Sequence, residues 1–146
     1  MIIAIDGPAA SGKGTLGREL AKHFGLAHMD TGKLYRAVGL AVLRAGGDPN
    51  DPVAAVKAAS ALTALHMDDG DITGDEAADA ASKVSAIPEV REKLKRVQRI
   101  FAASPPGGAA GAVLDGRDIG TIVCPEADIK FFVTAGIEAR AERRHK

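Results

Sequence analysis

The nine residues GPAASGKGT, Gly7 to Thr15, come directly after the apolar opening MIIAID and narrow the possible folds more than any other stretch of the chain. The run IIAI is short, apolar and rich in β-branched residues, the composition of a strand buried inside a sheet, and Asp6 ends it. Beyond it, Gly7 to Lys13 follow the spacing GxxxxGK, and Leu16, Leu20 and Phe24 then recur at helical intervals. The expected order is strand, glycine-rich loop, helix. Such a loop turns its backbone N–H groups inward around a phosphate, because glycine tolerates the dihedrals and lets the anion approach closely. The helix behind it adds the partial positive charge of its N-terminus, and Lys13 has the reach to meet terminal phosphates. Gly7, Pro8, Ala9, Ala10, Ser11, Gly12, Lys13, Gly14 and Thr15 are therefore the candidate phosphate cradle. The pattern usually places Ser or Thr after the lysine to meet Mg²⁺. Here Gly14 stands there, and the hydroxyl comes one residue later, at Thr15.

Composition limits what else the chain can be. With 146 residues, 46% of them hydrophobic, it has the material for one core of ordinary size with a small insertion. Lys plus Arg and Asp plus Glu both number 19, so no overall basic field exists to hold nucleic acid or an anionic membrane. Any anion site must be a local cluster. The opening run lacks the basic start of a secretory signal, and no stretch reaches the roughly 18 apolar residues of a membrane helix. One cysteine, Cys124, excludes an internal disulfide and suits a reducing compartment, so a soluble cytoplasmic protein is expected. His23, His28, His66 and His145 show no zinc-site spacing and read as surface or edge residues.

Strands and helices alternate along the remaining chain. LAHMD (26–30) reads as a second strand, and TGKLYRAVGLAVLRAGG as a helix marked by Leu34, Val38 and Val42 and ended by Gly46 and Gly47. A turn-rich joint at 48–52 precedes a helix over 53–61, and LTALHMDDGDITG suggests a hairpin around Asp69 and Gly70. A helix from about Asp75 leads to Pro88, and PEVREKLKRVQRIF forms another with Val90, Leu94, Val97 and Phe101 on one face. After the flexible connection SPPGGAAG come the strand AVLD, the loop GRDIG and a second buried strand, IKFFVT. The pattern predicts an α/β fold with a parallel sheet. Residues 1–45 and 106–146 would form its core, and 46–105 a side excursion.

Ligands of such sheets gather at the carboxyl ends of the strands, where the glycine loop, DTGKLYR and DGRDIG all fall. Arg36 and Arg117 offer planar forks suited to a substrate phosphate. Arg36 taken alone could equally be a solvated helix residue. Asp115 ends an apolar strand, the position from which a carboxylate holds the waters of Mg²⁺, although a loop cap or an ion pair with an arginine would use the same residue.

GKGT resembles the ending of this loop in nucleoside-monophosphate kinases, and in that resemblance much of the metal shell is water. GPAASGKGT, DTGKLYRA, AASKVSAIPEVRE and AVLDGRDIGTIVCPEADIKFFVTA, in this order and spacing, resemble the bacterial cytidylate kinases over essentially all 146 residues. Adenylate kinases carry a DGFPR-like stretch where this chain has DGRD, and the NKxD guanine reader of GTPases is absent. The resemblance implies a P-loop NTPase-like core carrying a monophosphate-binding insert over 46–105. It implies transfer of the γ-phosphoryl of ATP to CMP or dCMP with Mg²⁺, by a monomer. Gly7 to Thr15 would cradle the ATP phosphates, Lys13 would neutralise the moving group, and Thr15 and Asp115 would serve the metal. Thr31 and Tyr35 would line the acceptor site, with Arg36 and Arg117 on its phosphate. Ser82, Arg91 and Asp118 would read cytosine. Chemistry agrees with that trio: cytosine presents an amino donor beside two acceptors, which a carboxylate and Arg or Ser donors complement, whereas uracil would set an oxygen against the carboxylate. Without the resemblance, Ser82 reads as a helix-surface serine.

Other features carry plainer readings. Arg91, Lys95 and Arg99 form a stripe that reads as a solvated helix face, from which only the resemblance lifts Arg91. Cys124 reads as structural, and HMDDGD as a turn without calcium-loop spacing. In the family, IEARAERRHK leads into a lid, and further arginines, a ribose-binding aspartate and a last strand and helices follow. The chain is thus expected to be a shortened form whose sheet lacks an edge, with Arg140, Arg143 and Arg144 unassigned. Two alternatives follow: a nucleotide-binding fragment without useful catalysis, and a P-loop kinase for a different small acceptor.

Overall fold

In the computed structural model, which describes residues 1–8, 11–62 and 74–134, the run IIAID forms β1 (Ile2–Asp6) as expected. Ile3, Ala4 and Ile5 are buried, because β1 has a parallel partner along each edge and side chains packed on both of its faces. β2 (Ala27–Asp30), β3 (Ala112–Gly116) and β4 (Ile129–Phe132) complete a sheet in the order β2-β3-β1-β4. The register sets Ile2 opposite Ala112, Asp6 opposite Gly116 and Phe132, and Asp30 opposite Asp115. All strands are parallel, so their carboxyl ends share one edge. Gly7, Thr31 and Arg117 are each the first residue beyond a strand.

The chain divides into two units, Met1–Asp30 with Gln98–Lys146, and Thr31–Val97. The first contains the sheet, with helices on both faces. α1 (Lys13–Phe24) lays Leu16, Leu20 and Ala21 over Ile3, Ile5 and Val113. On the opposite face, Ala4, Ala112 and Leu114 pack with Phe101, Ala102, Ile119, Val123 and Cys124. This is the α/β arrangement that the alternation of elements predicts, and it is consistent with the P-loop NTPase-like core that the resemblance implies. Burial and then Glu126 push the Cys124 thiol above its ordinary range, with Arg99 pulling the other way, so the thiol stays protonated and inert in agreement with its structural reading.

The second unit is helical. α2 (Thr31–Arg44) buries Leu34, Ala37, Val38, Leu40 and Val42, and it ends where the glycine pair predicts, with Gly46 and Gly47 N–H groups donating to Leu43 and Val42 oxygens. α3 (Pro52–Ser60) opens on Asp51, whose side chain accepts the Val53 N–H at 3.1 Å, with proline at the first position. α4 (Asp75–Val84) buries Ala77, Ala80 and Val84. It lies so near α2 that a Cβ on Gly39 would come within 2.7 Å of the Ala80 Cβ. α5 (Pro88–Ala103) buries Val90 and Leu94, starts in this unit and ends in the first.

Three expectations need revision. β4 was expected to be buried, yet it stands at the end of the strand order with Ile129, Phe131 and Phe132 exposed, because among the described residues it pairs only with β1. GRDIG is not wholly a loop. Ile119–Val123 form a π-helical turn in which the Val123 N–H donates to Asp118 O at 3.0 Å and Cys124 N–H to Ile119 O at 2.7 Å. SPPGGAAG contains one 3₁₀ turn, Pro106–Gly108. The hairpin at Asp69 and Gly70, the segment HMDDGD, His66, Ala9, Ala10, and IEARAERRHK with His145 lie outside the described residues. Among the described residues, no helix is long and apolar enough to cross a membrane.

Candidate active site

The glycine loop sits at the carboxyl edge of the sheet, fastened between strands. The Gly7 N–H donates to Gly116 O at 3.3 Å, which ties the loop's first residue to the end of β3. A Cβ on Gly7 would fall 2.3 Å from the Val133 carbonyl oxygen, so only glycine fits. Gly12 enters α1 with φ 97°, a left-handed conformation that glycine adopts without strain, and no side chain caps the helix. The first turn of α1 carries no acidic residue, so its N-terminal partial charge has no local carboxylate against it. Lys13 Nζ folds back to donate to Pro8 O at 3.2 Å, keeping the ammonium beside the loop. Ser11 Oγ is buried, with no hydrogen-bond partner among the described residues. A buried hydroxyl, a nearby ammonium and a helix N-terminus that no side chain caps together fit a polyphosphate.

Asp115 is buried, at 1% exposure. Its Oδ2 is hydrogen-bonded to Nε2 of His28, which reaches over from the edge strand β2. The edge position expected for His28 holds, but the side chain is only 18% exposed rather than a surface group. α1 closes over this pair: a Cβ on Gly17 would come within 2.8 Å of His28 Nε2 and 3.0 Å of Asp115 Oδ2. Thr15 is exposed, and its Oγ1 accepts from Arg18 Nη2 at 3.3 Å. One hydroxyl and one carboxylate suit Mg²⁺, which keeps most of its waters, and no group of three or more metal-binding side chains occurs among the described residues.

Beyond β3, Arg117 and Asp118 are exposed, and Asp118 is left-handed at φ 58°, the one positive-φ residue other than glycine among the described residues. A non-glycine residue in this region costs energy and persists where its surroundings enforce it. The enforcing groups come from two residues the sequence reading did not single out for a role. Asp6 Oδ1 accepts the Ile119 N–H at 2.7 Å, and its Oδ2 accepts the Gly120 N–H at 2.9 Å. Arg99, expected on a solvated face, instead donates from Nε to Val123 O and from Nη2 to Ile122 O, both at 2.9 Å. Position could have flagged Asp6, a carboxylate closing the strand that feeds the glycine loop. Nothing local flags His28 or Arg99, whose partners are far away in sequence.

The remaining candidates belong to the second unit. Thr31, buried at 4%, begins α2, and Tyr35 and Arg36 follow one turn later, both half-buried. Ser82 on α4 and Arg91 on α5 are exposed. The Ser82 backbone oxygen accepts the Ser85 hydroxyl at 3.0 Å. The structure therefore gathers the glycine loop, Asp115, Arg117 and Asp118 at one sheet edge, and Thr31, Tyr35 and Arg36 at one helix end. Ser82 and Arg91 stand on separate helices.

Comparison with known proteins agrees with this architecture. The cytidylate kinase of Rhodospirillum rubrum is 62% identical over 144 residues, which cover 99% of this chain and 68% of that protein. That of Paramagnetospirillum magneticum is 61% identical over 145 residues, again 99% and 68%. A cytidylate kinase from a Methylobacterium species is 58% identical over 146 residues, covering all of this chain and 68% of that protein. The family model described as cytidylate kinase matches residues 3–146, from β1 through the glycine loop and the π-helical turn, and the chain belongs to the cytidylate kinase family.

Proposed function

We propose that the chain transfers the γ-phosphoryl group of ATP to CMP or dCMP, giving CDP or dCDP. The observation that carries this reading is the junction of Gly7 with Gly116, which sets a polyphosphate cradle and the Arg117–Asp118 loop side by side at one sheet edge. Gly7 to Thr15 bind the donor phosphates through backbone amides. Lys13 swings from Pro8 onto the transferring group and neutralises charge as it develops. Arg117 and Arg36 hold the acceptor phosphate, Thr31 and Tyr35 line its site, and Ser82 and Arg91 of an insert over 46–105 read cytosine together with Asp118. The acceptor oxygen is already anionic, so no strong general base is needed, and positioning with charge neutralisation does most of the work. Thr15 and Asp115 would hold Mg²⁺ through its waters, and the ion when bound supplies charge compensation on the phosphates. We read the protein as a cytoplasmic monomer.

The test is ADP release with Mg²⁺ and ATP across CMP, dCMP, UMP, AMP and GMP, with a control lacking acceptor. Turnover confined to the cytidine acceptors is the expected result. Release without an acceptor, or preference for another acceptor, would overturn the reading.

A further inference from the structure

We infer that Asp6 is a positioning residue for acceptor recognition: it touches no nucleotide but fixes the backbone from which Arg117 and Asp118 project. This deepens the cytidylate reading above and rests on it. Asp6 closes β1 and is bonded covalently to Gly7, the first residue of the phosphate loop. Its two carboxylate oxygens accept the first two N–H groups of the π-helical turn, at 2.7 and 2.9 Å. A carboxylate at that end also complements the turn's partial positive charge. The far end of the turn is held in the opposite sense, with the Arg99 guanidinium on the Ile122 and Val123 carbonyls. Between these clamps, Asp118 O accepts the N–H groups of both Ile122 and Val123 at 3.0 Å.

The left-handed backbone of Asp118 is therefore over-determined by contacts that belong to neither Arg117 nor Asp118 side chain. Space is restricted as well. A Cβ on Gly120 would meet Lys130 Cδ at 3.1 Å and Asp6 Oδ2 at 3.4 Å, so the turn is seated closely against β1 and β4 and a side chain at 120 would push it off them. Two exposed side chains on a fixed backbone can present a carboxylate to one base and a guanidinium to one phosphate. On a loosened backbone they would select the base poorly while still attracting the phosphate.

Asp6→Asn tests this, because it preserves shape while turning an NH₂ group toward one of the two N–H donors. Affinities of the full chain for CMP, UMP and ATP would be measured by calorimetry, with thermal unfolding in parallel. We expect the preference for CMP over UMP to fall about tenfold, the scale of a lost hydrogen bond to a charged group. Arg99→Gln, acting on the opposite end of the turn, should lower the same preference and carries the test if Asp6→Asn does not fold. A merely structural role for Asp6 would lower stability, or weaken all three nucleotides alike, without moving the CMP-to-UMP ratio. A folded variant of either kind with the wild-type ratio overturns the inference. A wild-type chain that binds CMP no better than UMP overturns the cytidylate reading and the inference with it.

Discussion

The two units place candidate residues in opposite ways. In the first, three charged groups near the sheet edge or its turn are pinned by partners remote in sequence: Asp115 by His28, Asp6 by the amides at 119 and 120, Arg99 by the carbonyls at 122 and 123. In the second, a core made largely of Ala, Val and Leu carries Ser82 and Arg91 on exposed helix faces. The difference teaches that the groups proposed to handle phosphate are built into the frame, while the proposed base readers of the second unit stand on exposed surfaces. Phosphate chemistry tolerates little positional error, since a displacement of about 1 Å can cost a hundredfold in rate.

Removing the lysine should separate chemistry from frame most sharply. Lys13→Ala is expected to lower turnover on the order of 10³-fold, about 4 kcal/mol on the barrier, with little change in thermal midpoint. His28→Leu should do the reverse of separating them. It strips a buried carboxylate of one partner and should destabilise the chain by about 3 kcal/mol in urea unfolding, with His28→Gln recovering part of the loss. In the second unit the comparable weak point is steric rather than electrostatic. Gly39→Val should cost about 2 kcal/mol by overpacking against Ala80, and Ala80→Gly in the same chain should relieve it. Smallest are the exposed readers: Ser82→Ala and Arg91→Gln should leave stability within about 0.5 kcal/mol while weakening CMP about tenfold, or 1.4 kcal/mol. If either proves strongly destabilising, the contrast between frame and mounted surface fails.

What the sequence disclosed depended on how local the signal was. β1, the glycine loop and α1 are legible because their residues act on near neighbours, and the ends of α2 and α3 are legible because glycine, proline and aspartate work within a turn. β4 misled because IKFF has the apolar content of a buried strand whichever side of it is covered, and the sheet order is not written in the strand itself. The Asp115–His28 pair, the Arg99 contacts and the Asp6 contacts that hold the π-helical turn were illegible for one shared reason: each joins segments that only the tertiary fold brings together. Asp118 could be flagged by resemblance, but its left-handed backbone could not, since aspartate seldom needs such a conformation.

The register of the sheet also bears on how the protein comes into being. Ile2 pairs with Ala112 and Asp6 with Gly116, so the two central strands lie far apart along the chain, whereas the unit from Thr31 to Val97, which lies between them in sequence, is one unbroken stretch. A chain emerging from the ribosome has its helical unit complete while β1 still waits for β3. Loop closure over such a span is slow, and a solitary apolar strand is a hazard while it waits. Pulsed hydrogen exchange during refolding should protect the amides of α2 and α4 before those of β1. Simultaneous protection would mean instead that the helical unit needs the finished sheet as its template.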